Sequence, residues 1–251
     1  LQDQKQSLSV EGSARLKRLQ HTISWLLRAL GLWKPPAIPD KPINNLITYK
    51  MTIENEKLKN GARTACNFWN RYLQPKNSIV IRLGVFTENS NTIARAYKPY
   101  EKNDIRYGVV EFNTKYLSDY TEYQIAGTVT HEIGHSLGFG WTEWKKLFST
   151  RTGKFNSSAV AQLPSLEQME VELDGGSGTA LSHWDEDEFD EELMTGYKEL
   201  QGVREHVLPV TIDVMKVLGH SISTTLSTKR YLDELLQEVE NMVFSRQDEV
   251  R

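Results

Sequence analysis

From residue 46 onward the apolar positions alternate between two periods. Residues 47–53 switch between apolar and polar like a half-buried strand, and Leu58, Ala62, Ala65, Cys66, Trp69, Tyr72 and Leu73 then fall on one face of a helix. Residues 79–85 form a second apolar run, and the order strand, helix, strand predicts a parallel pair joined by a right-handed crossover. Two further strands are expected at residues 92–97 and 107–112. The polar stretch 98–106 between them reads as a hairpin-like connection and so predicts an antiparallel edge. Thr121, with Gln124 three residues on, is a capping-box signature for a helix running through Leu137, and Gly138 offers its stop.

The rest of the chain follows other patterns. Residues 13–32 read as one amphipathic helix, with Leu16, Leu19, Ile23, Leu26, Leu27 and Leu30 at three- and four-residue spacing and Arg15, Lys17, Arg18 and Arg28 elsewhere around the wheel. Pro35, Pro36, Pro39 and Pro42 then stop any helix and predict an extended connector. A basic helix of this kind can lie on a membrane or fill a partner's groove. The plainer reading is a helix packed on its own domain or left over from a prosegment. Periodicity fades over residues 147–202, which are rich in Gly, Ser, Asp and Glu with short apolar islands at 163–173 and 189–194. Long irregular segments inside compact proteins are usually functional or disordered. Residues 209–218 and 229–244 return to a helical period, and the chain has no internal repeat.

Composition narrows the chemistry. A length of 251 residues suffices for one generous domain or two small ones, and 39% apolar with 25% charged residues excludes collagen, coiled coil and a disordered tail. A net charge of -3 gives no electrostatic reason to expect nucleic acid as a partner. The single Cys cannot close an internal disulfide or build a Cys-rich zinc knuckle or an iron–sulfur site, so any metal must be held by His and carboxylates. No stretch approaches the roughly 20 apolar residues that cross a bilayer; the nearest, residues 23–33, is interrupted by Arg28. The chain opens on Leu1 rather than Met, so a start codon, with any targeting segment, is expected outside these residues.

The informative residues are His131-Glu132-Ile133-Gly134-His135 on the predicted helix. Two histidines four apart project from one face one turn apart, so their imidazoles can meet one metal ion with the intervening Glu beside the open coordination position. A catalytic zinc needs three protein ligands and one open site, and this motif supplies two. Trp141 stands where the longer His-Glu-x-x-His-x-x-Gly-x-x-His pattern would carry its third ligand, and a glutamate about twenty residues on, as in thermolysin-like chains, would fall at Phe155. His183, His206 and His220 remain downstream, with many carboxylates as weaker candidates. Position favours His183, which lies in the irregular segment where a loop can fold back under the helix. His220, by contrast, follows a helix with Gly219 at its stop.

Three stretches together resemble the leishmanolysin family of metzincin zinc peptidases, its bacterial-type members in particular. They are His131-Glu132-Ile133-Gly134-His135-Ser136-Leu137-Gly138-Phe139-Gly140, then Ser182-His183-Trp184, then Glu192-Leu193-Met194-Thr195-Gly196-Tyr197. In that family an insertion separates the helix from a third His ligand in a Ser-His-Trp context, and a methionine eleven residues later forms a turn beneath the metal. Met194 stands eleven after His183. Residues 211–219, with Asp213 and Leu218, also resemble the family's helix after that turn. The likeness covers roughly residues 46–223. The disulfides common in eukaryotic members have no counterpart in a chain with one Cys, and the insertion between His135 and His183 is short.

The resemblance implies an α+β metzincin-type zincin. Its twisted mixed sheet would have an antiparallel edge strand and two long helices in an N-terminal subdomain at residues 46–140. An irregular, mostly helical C-terminal subdomain at residues 141–225 would face it across the active-site cleft. Residues 1–45, read from their own pattern as a helical extension or prosegment with a proline-rich connector, and residues 226–251, read as a C-terminal helix, have no counterpart in the resemblance. The resemblance further implies one catalytic zinc ion held by His131, His135 and His183, with Glu132 as the general base in peptide hydrolysis. The substrate would be a protein or peptide, laid beside an edge strand at residues 107–112, and the setting secreted or extracytoplasmic. Tyr197 is a candidate for oxyanion stabilisation, although it follows Met194 by three residues rather than two. Cys66 invites a cysteine-switch reading but sits on an apolar helix face, which favours a buried core residue, and Asp40 is the other candidate zinc blocker. The acidic run 185–190, continuing through Glu191 and Glu192, has the residue type for calcium without the spacing of a calcium loop, and reads as a solvated face. Trp141 and Trp144 are candidates for the cleft border. The rival function is a zinc-bound, non-catalytic or latent binding module that uses the N-terminal basic helix for partner or membrane association.

Overall fold

The computed structural model describes residues 44–189, 192–197 and 207–223. The expected helices at 13–32 and 229–244, the proline connector with Asp40, and His206 lie outside the described residues. The chain is α+β. Strand β1 (Ile47–Met51) leads into helix α1 (Glu56–Tyr72), a two-residue strand β2 (Leu73–Gln74) and strand β3 (Ile79–Phe86). Asn55 starts α1 by accepting from Leu58 N, and the buried face of the helix carries Leu58, Ala62, Ala65, Cys66, Trp69 and Tyr72, as the period predicts. β1 and β3 pair in parallel with Ile47 opposite Ile79. Asn70 of α1 fastens β1 from beneath, since its side chain both accepts from Ile47 N and donates to Ile47 O.

Strand β4 (Ala94–Lys102) and strand β5 (Ile105–Asn113) form a hairpin, after which β5 pairs in parallel with β3. The polar stretch 98–106 is therefore mostly strand rather than connection. The reversal is made by Asn103 and Asp104 alone, both at positive φ (53° and 57°), the conformation a two-residue hairpin turn requires. The sheet order is β1-β3-β5-β4. This corrects the edge expected at residues 107–112: they are an interior strand flanked on both sides, and the antiparallel edge is β4. The strand expected at 92–97 covers only the first part of β4; the part from residue 98 onward is polar, because an edge facing solvent has no need of a continuous apolar run.

One face of the sheet carries Ile47, Ile79, Ile81, Leu83, Val110 and Phe112 into the core. After the short helix α2 (Thr114–Leu117), helix α3 (Glu122–Leu137) lays Ile125, Val129, Ile133 and Leu137 on that core, against α1 and across β4 and β5. The close approach depends on Gly108 of β5. A Cβ there would stand 2.5 Å from Ser136 Oγ and 2.9 Å from Ile81 Cδ1.

The second half is short on regular structure. Among the described residues, helix α4 (Ser157–Gln162), helix α5 (Glu186–Phe189), two 3-10 turns and helix α6 (Pro209–Val217) are its helical pieces, and strand β6 (Ser221–Ile222) returns to pair with β2. Aromatic rings supply its core. Trp144, a candidate for the cleft border whose plainer reading is packing, is fully buried, stacked on Phe139 at 3.9 Å and edge-on to Trp184 at 5.0 Å. Phe148 and Phe155 close the same cluster. Offset and edge-to-face pairs of this kind add to the burial they bring.

Adding a methyl at Gly108 forces the sheet and α3 apart. Gly108→Ala is therefore expected to lower unfolding stability by about 1–3 kcal/mol, the usual range for overpacking. Urea denaturation of the two proteins measures the difference, and equal stabilities would show that the contact relaxes freely.

Candidate metal centre

Helix α3 is fixed at both ends. At its start Thr121 Oγ1 accepts from Gln124 N, and Gln124 Oε1 accepts from Thr121 N, the reciprocal cap expected from the sequence. At its end Gly138 takes φ 131°. The last carbonyls of a helix lack partners within it, and here three side chains from elsewhere supply them. Trp141 Nε1 donates to His135 O at 2.8 Å, Arg106 Nε to Ser136 O at 3.0 Å, and His220 Nε2 to Leu137 O at 2.6 Å. His220 is thereby a helix cap, set apart from the metal candidates.

His131 and His135 face the same way from consecutive turns of α3, and His183 enters from the irregular segment. Their Nε2 atoms stand 3.0, 3.1 and 3.2 Å from one another. Each Nδ1 meets a backbone carbonyl: His131 with Leu193 O at 2.7 Å, His135 with Phe139 O at 3.0 Å, and His183 with Thr179 O at 2.9 Å. A carbonyl oxygen only accepts, so each Nδ1 must carry the hydrogen and each neutral ring presents a bare Nε2 lone pair to the other two. Three lone pairs at this distance repel unless a cation lies between them. A tetrahedral zinc at about 2.0–2.1 Å from each nitrogen needs edges of about 3.3–3.4 Å, so the three nitrogens already form a ligand triangle to within a few tenths of an ångström. Among the described residues this is the one cluster that could hold a metal ion.

Protons are a poor substitute for that cation. Burial pushes the His135 and His183 imidazolium pKa values down to about 3, with the neighbouring imidazole adding to the effect in each case. Glu132, on the same helix, is also buried. Desolvation pushes its carboxyl up to about 8 against the opposing pull of a hydrogen bond from the Ala96 backbone. Ala96 belongs to β4, so the true edge strand touches the carboxylate that the sequence singled out.

All four side chains line an open cleft of about 760 Å³, together with residues 94–96 of β4, Trp141 and the glycine-rich stretch around Gly175 and Gly178. Tyr197 is half exposed on the same cleft. Met194 is fully buried beneath α3. A Cβ at Gly134 would stand 2.7 Å from Met194 Sδ, so the glycine between the two histidines makes room for the methionine. Cys66 lies in the α1 core away from the cleft, where burial raises its thiol to about 12. The acidic run is divided. Glu186 to Glu188 lie in α5, Asp190 and Glu191 lie outside the described residues, and Glu192 corrects the reading of a solvated face. It is 1% exposed and accepts from Met194 N, Leu208 N and Thr211 Oγ1. No pattern in the sequence reveals that role. The carbonyls of Phe139, Thr179 and Leu193 are equally invisible there, because a main-chain acceptor leaves no trace in residue identity.

An α+β fold that brings three bare imidazole nitrogens and a buried carboxylate to one open cleft has the build of a metal-dependent hydrolase. The chain belongs to the leishmanolysin family of metallopeptidases, whose model matches residues 79–219, from the start of β3 to the glycine after α6. No curated protein matches the chain.

The shifted groups give the metal-free protein a defined acid response. His135 and His183 bind protons near 6.5 when unfolded and near 3 when folded, so their contribution is present above about 6.5 and is lost as pH falls toward 3. Glu132 runs the other way, gaining stability as pH falls from about 8 to 4.5, one group against two. The melting temperature of chelator-treated protein is thus expected to fall below about pH 6.5. Glu132→Gln removes the opposing group and makes the fall steeper. A midpoint flat from pH 7 to 4 in both proteins would contradict these positions of the protons.

Proposed function

We propose that the chain is a zinc-dependent endopeptidase of metzincin type, with zinc held by His131, His135 and His183 and with Glu132 as general base. The convergence of three bare Nε2 atoms beside a buried glutamate on an open cleft carries this reading. In the same reading residues 46–140 and 141–225 are the two subdomains flanking the cleft. The segments 1–45 and 226–251 are extensions to them. Met194 is the turn methionine, an apolar floor packed under the histidine-bearing turns of α3.

Zinc held by His131, His135 and His183 would supply a Lewis acid that polarises a peptide carbonyl and makes water a nucleophile near neutral pH, and its charge would favour the ionised form of the Glu132 carboxyl. Glu132 takes the proton of the attacking water on its carboxylate and returns it to the leaving amine. Ala96 N–H holds that carboxylate in place. An extended peptide lies along the free edge of β4 near residues 94–96, where strand addition orients the scissile bond toward Glu132. The Nδ1–H bonds to Leu193, Phe139 and Thr179 keep the three rings aimed at one point through the cycle. Tyr197, half exposed on the rim of the cleft, is the candidate for stabilising the developing oxyanion. Hydrolysis by this route needs no covalent enzyme intermediate.

Glu132→Ala is expected to keep stoichiometric zinc and to lower cleavage of casein about 10²–10⁴-fold, the range for loss of a general base. His183→Ala is expected to lose both metal and activity. Metal content by atomic absorption and peptide mapping of the digest check both variants. Undiminished cleavage by Glu132→Ala would overturn the assignment of the base, and full zinc in His183→Ala would move the third ligand elsewhere.

A further inference from the structure

The chain fastens two separate parts of the candidate metal centre to one carboxylate. Glu192 Oε2 accepts from Met194 N at 2.6 Å, and Glu192 Oε1 accepts from Thr211 Oγ1 at 2.6 Å and from Leu208 N at 3.1 Å. Thr211 Oγ1 in turn accepts from Trp184 Nε1 at 2.9 Å. Trp184 is the neighbour of His183, and its own backbone N–H bonds to Met194 O at 3.0 Å. Leu193, between Glu192 and Met194, offers the carbonyl that orients His131. The segment bearing one histidine and the carbonyl steering another therefore meet at a Thr211–Glu192 pair on the first turn of α6. Helix α6 has no side-chain cap of its own at Leu208, so the carboxylate also serves the start of the helix.

We propose that Glu192 and Thr211 are positioning residues for the metal centre: together they set where His183 and the Leu193 carbonyl stand, and so how tightly and in what geometry the three imidazoles hold the ion. The proposal rests on the reading of His131, His135 and His183 as the ligands. Neither residue lines the cleft. Their effect passes through Trp184 to His183 and through residues 193–194 to His131. A pair that merely stabilised α6 would change the melting temperature and leave the metal-bound state untouched.

The discriminating variants are Thr211→Val, which keeps the volume and deletes the hydroxyl, and Thr211→Ser, which keeps the hydroxyl and deletes the methyl. Thr211→Val is expected to weaken zinc binding about 10–100-fold, the usual effect of losing a ligand's supporting partner, and to shift the visible d–d bands of the cobalt-substituted protein. Thr211→Ser is expected to restore both, and Glu192→Gln to resemble Thr211→Val. Zinc competition with a chromogenic chelator is read at a temperature where circular dichroism shows every variant folded. Where Glu192→Gln fails to fold, the threonine pair alone decides. Wild-type zinc affinity and cobalt spectrum in folded Thr211→Val would overturn the positioning role, as would failure of Thr211→Ser to restore them. A different failure marks the underlying reading: wild type without stoichiometric zinc, or His183→Ala with it, removes the ligand set itself.

Discussion

Three nitrogen lone pairs held about 3 Å apart are the constraint on which the rest of this structure depends. Left to themselves the rings would turn away from one another, because no imidazole gains by facing two others bare. Carbonyls at residues 139, 179 and 193 prevent this by engaging the far nitrogen of each ring. Each carbonyl must therefore be rigid, and much of the chain's local structure serves that end. Phe139 follows the glycine stop of α3, Thr179 lies in the turn before His183, and Leu193 lies between a buried glutamate and a buried methionine. Metal binding in such a site is coupled to folding, since the unfolded chain does not hold three ligands together.

The irregular segment meets this demand without long helices or sheets. Trp184 bridges Val171 on one side and Thr195 on the other, so the strand-like piece around His183 is the middle member of a minimal ladder. Its indole is packed among Phe139, Trp144 and Phe155 and tied by its N–H to Thr211. Backbone bonds between Glu172 N and His183 O, and between Leu181 N and Glu172 O, hold the loop from the outer side. Rings and bridges replace secondary structure here. The price is a dependence on a few large side chains, each of which touches several others.

Legibility in the sequence followed physical cause. The α1 face, the parallel pairing of β1 with β3 and the capped helix α3 were readable because each rests on a repeating period or a two-residue cap. The edge of the sheet was not. Residues 107–112 are apolar enough to suggest a strand, but which neighbour covers them depends on a return to β3 that only the three-dimensional register decides. The first part of β4 is legible as a strand, but from residue 98 its charges make strand and turn look alike, so the two-residue turn at Asn103 and Asp104 does not stand out from the polar stretch around it. At the site, histidine spacing singled out His131 and His135, and family likeness together with position pointed to His183. Glu192 looked like one more acid in an acidic run. Nothing local separates a solvated carboxylate from one that accepts internal hydrogen bonds, since donors such as Leu208 and Thr211 stand up to nineteen residues away.

The orienting acceptors of all three rings are main-chain oxygens. No point mutation deletes a carbonyl, so residues 139, 179 and 193 can change their side chains and still present the same acceptor, provided the backbone keeps its path. Robustness to sequence drift is thus concentrated in the second layer of the centre, while fragility moves to whatever bends that path: a glycine such as Gly138, or an insertion that shifts the loop by a single residue. Two chains with quite different residues around the histidines could aim them identically, and their likeness would be visible only in the trace of the backbone.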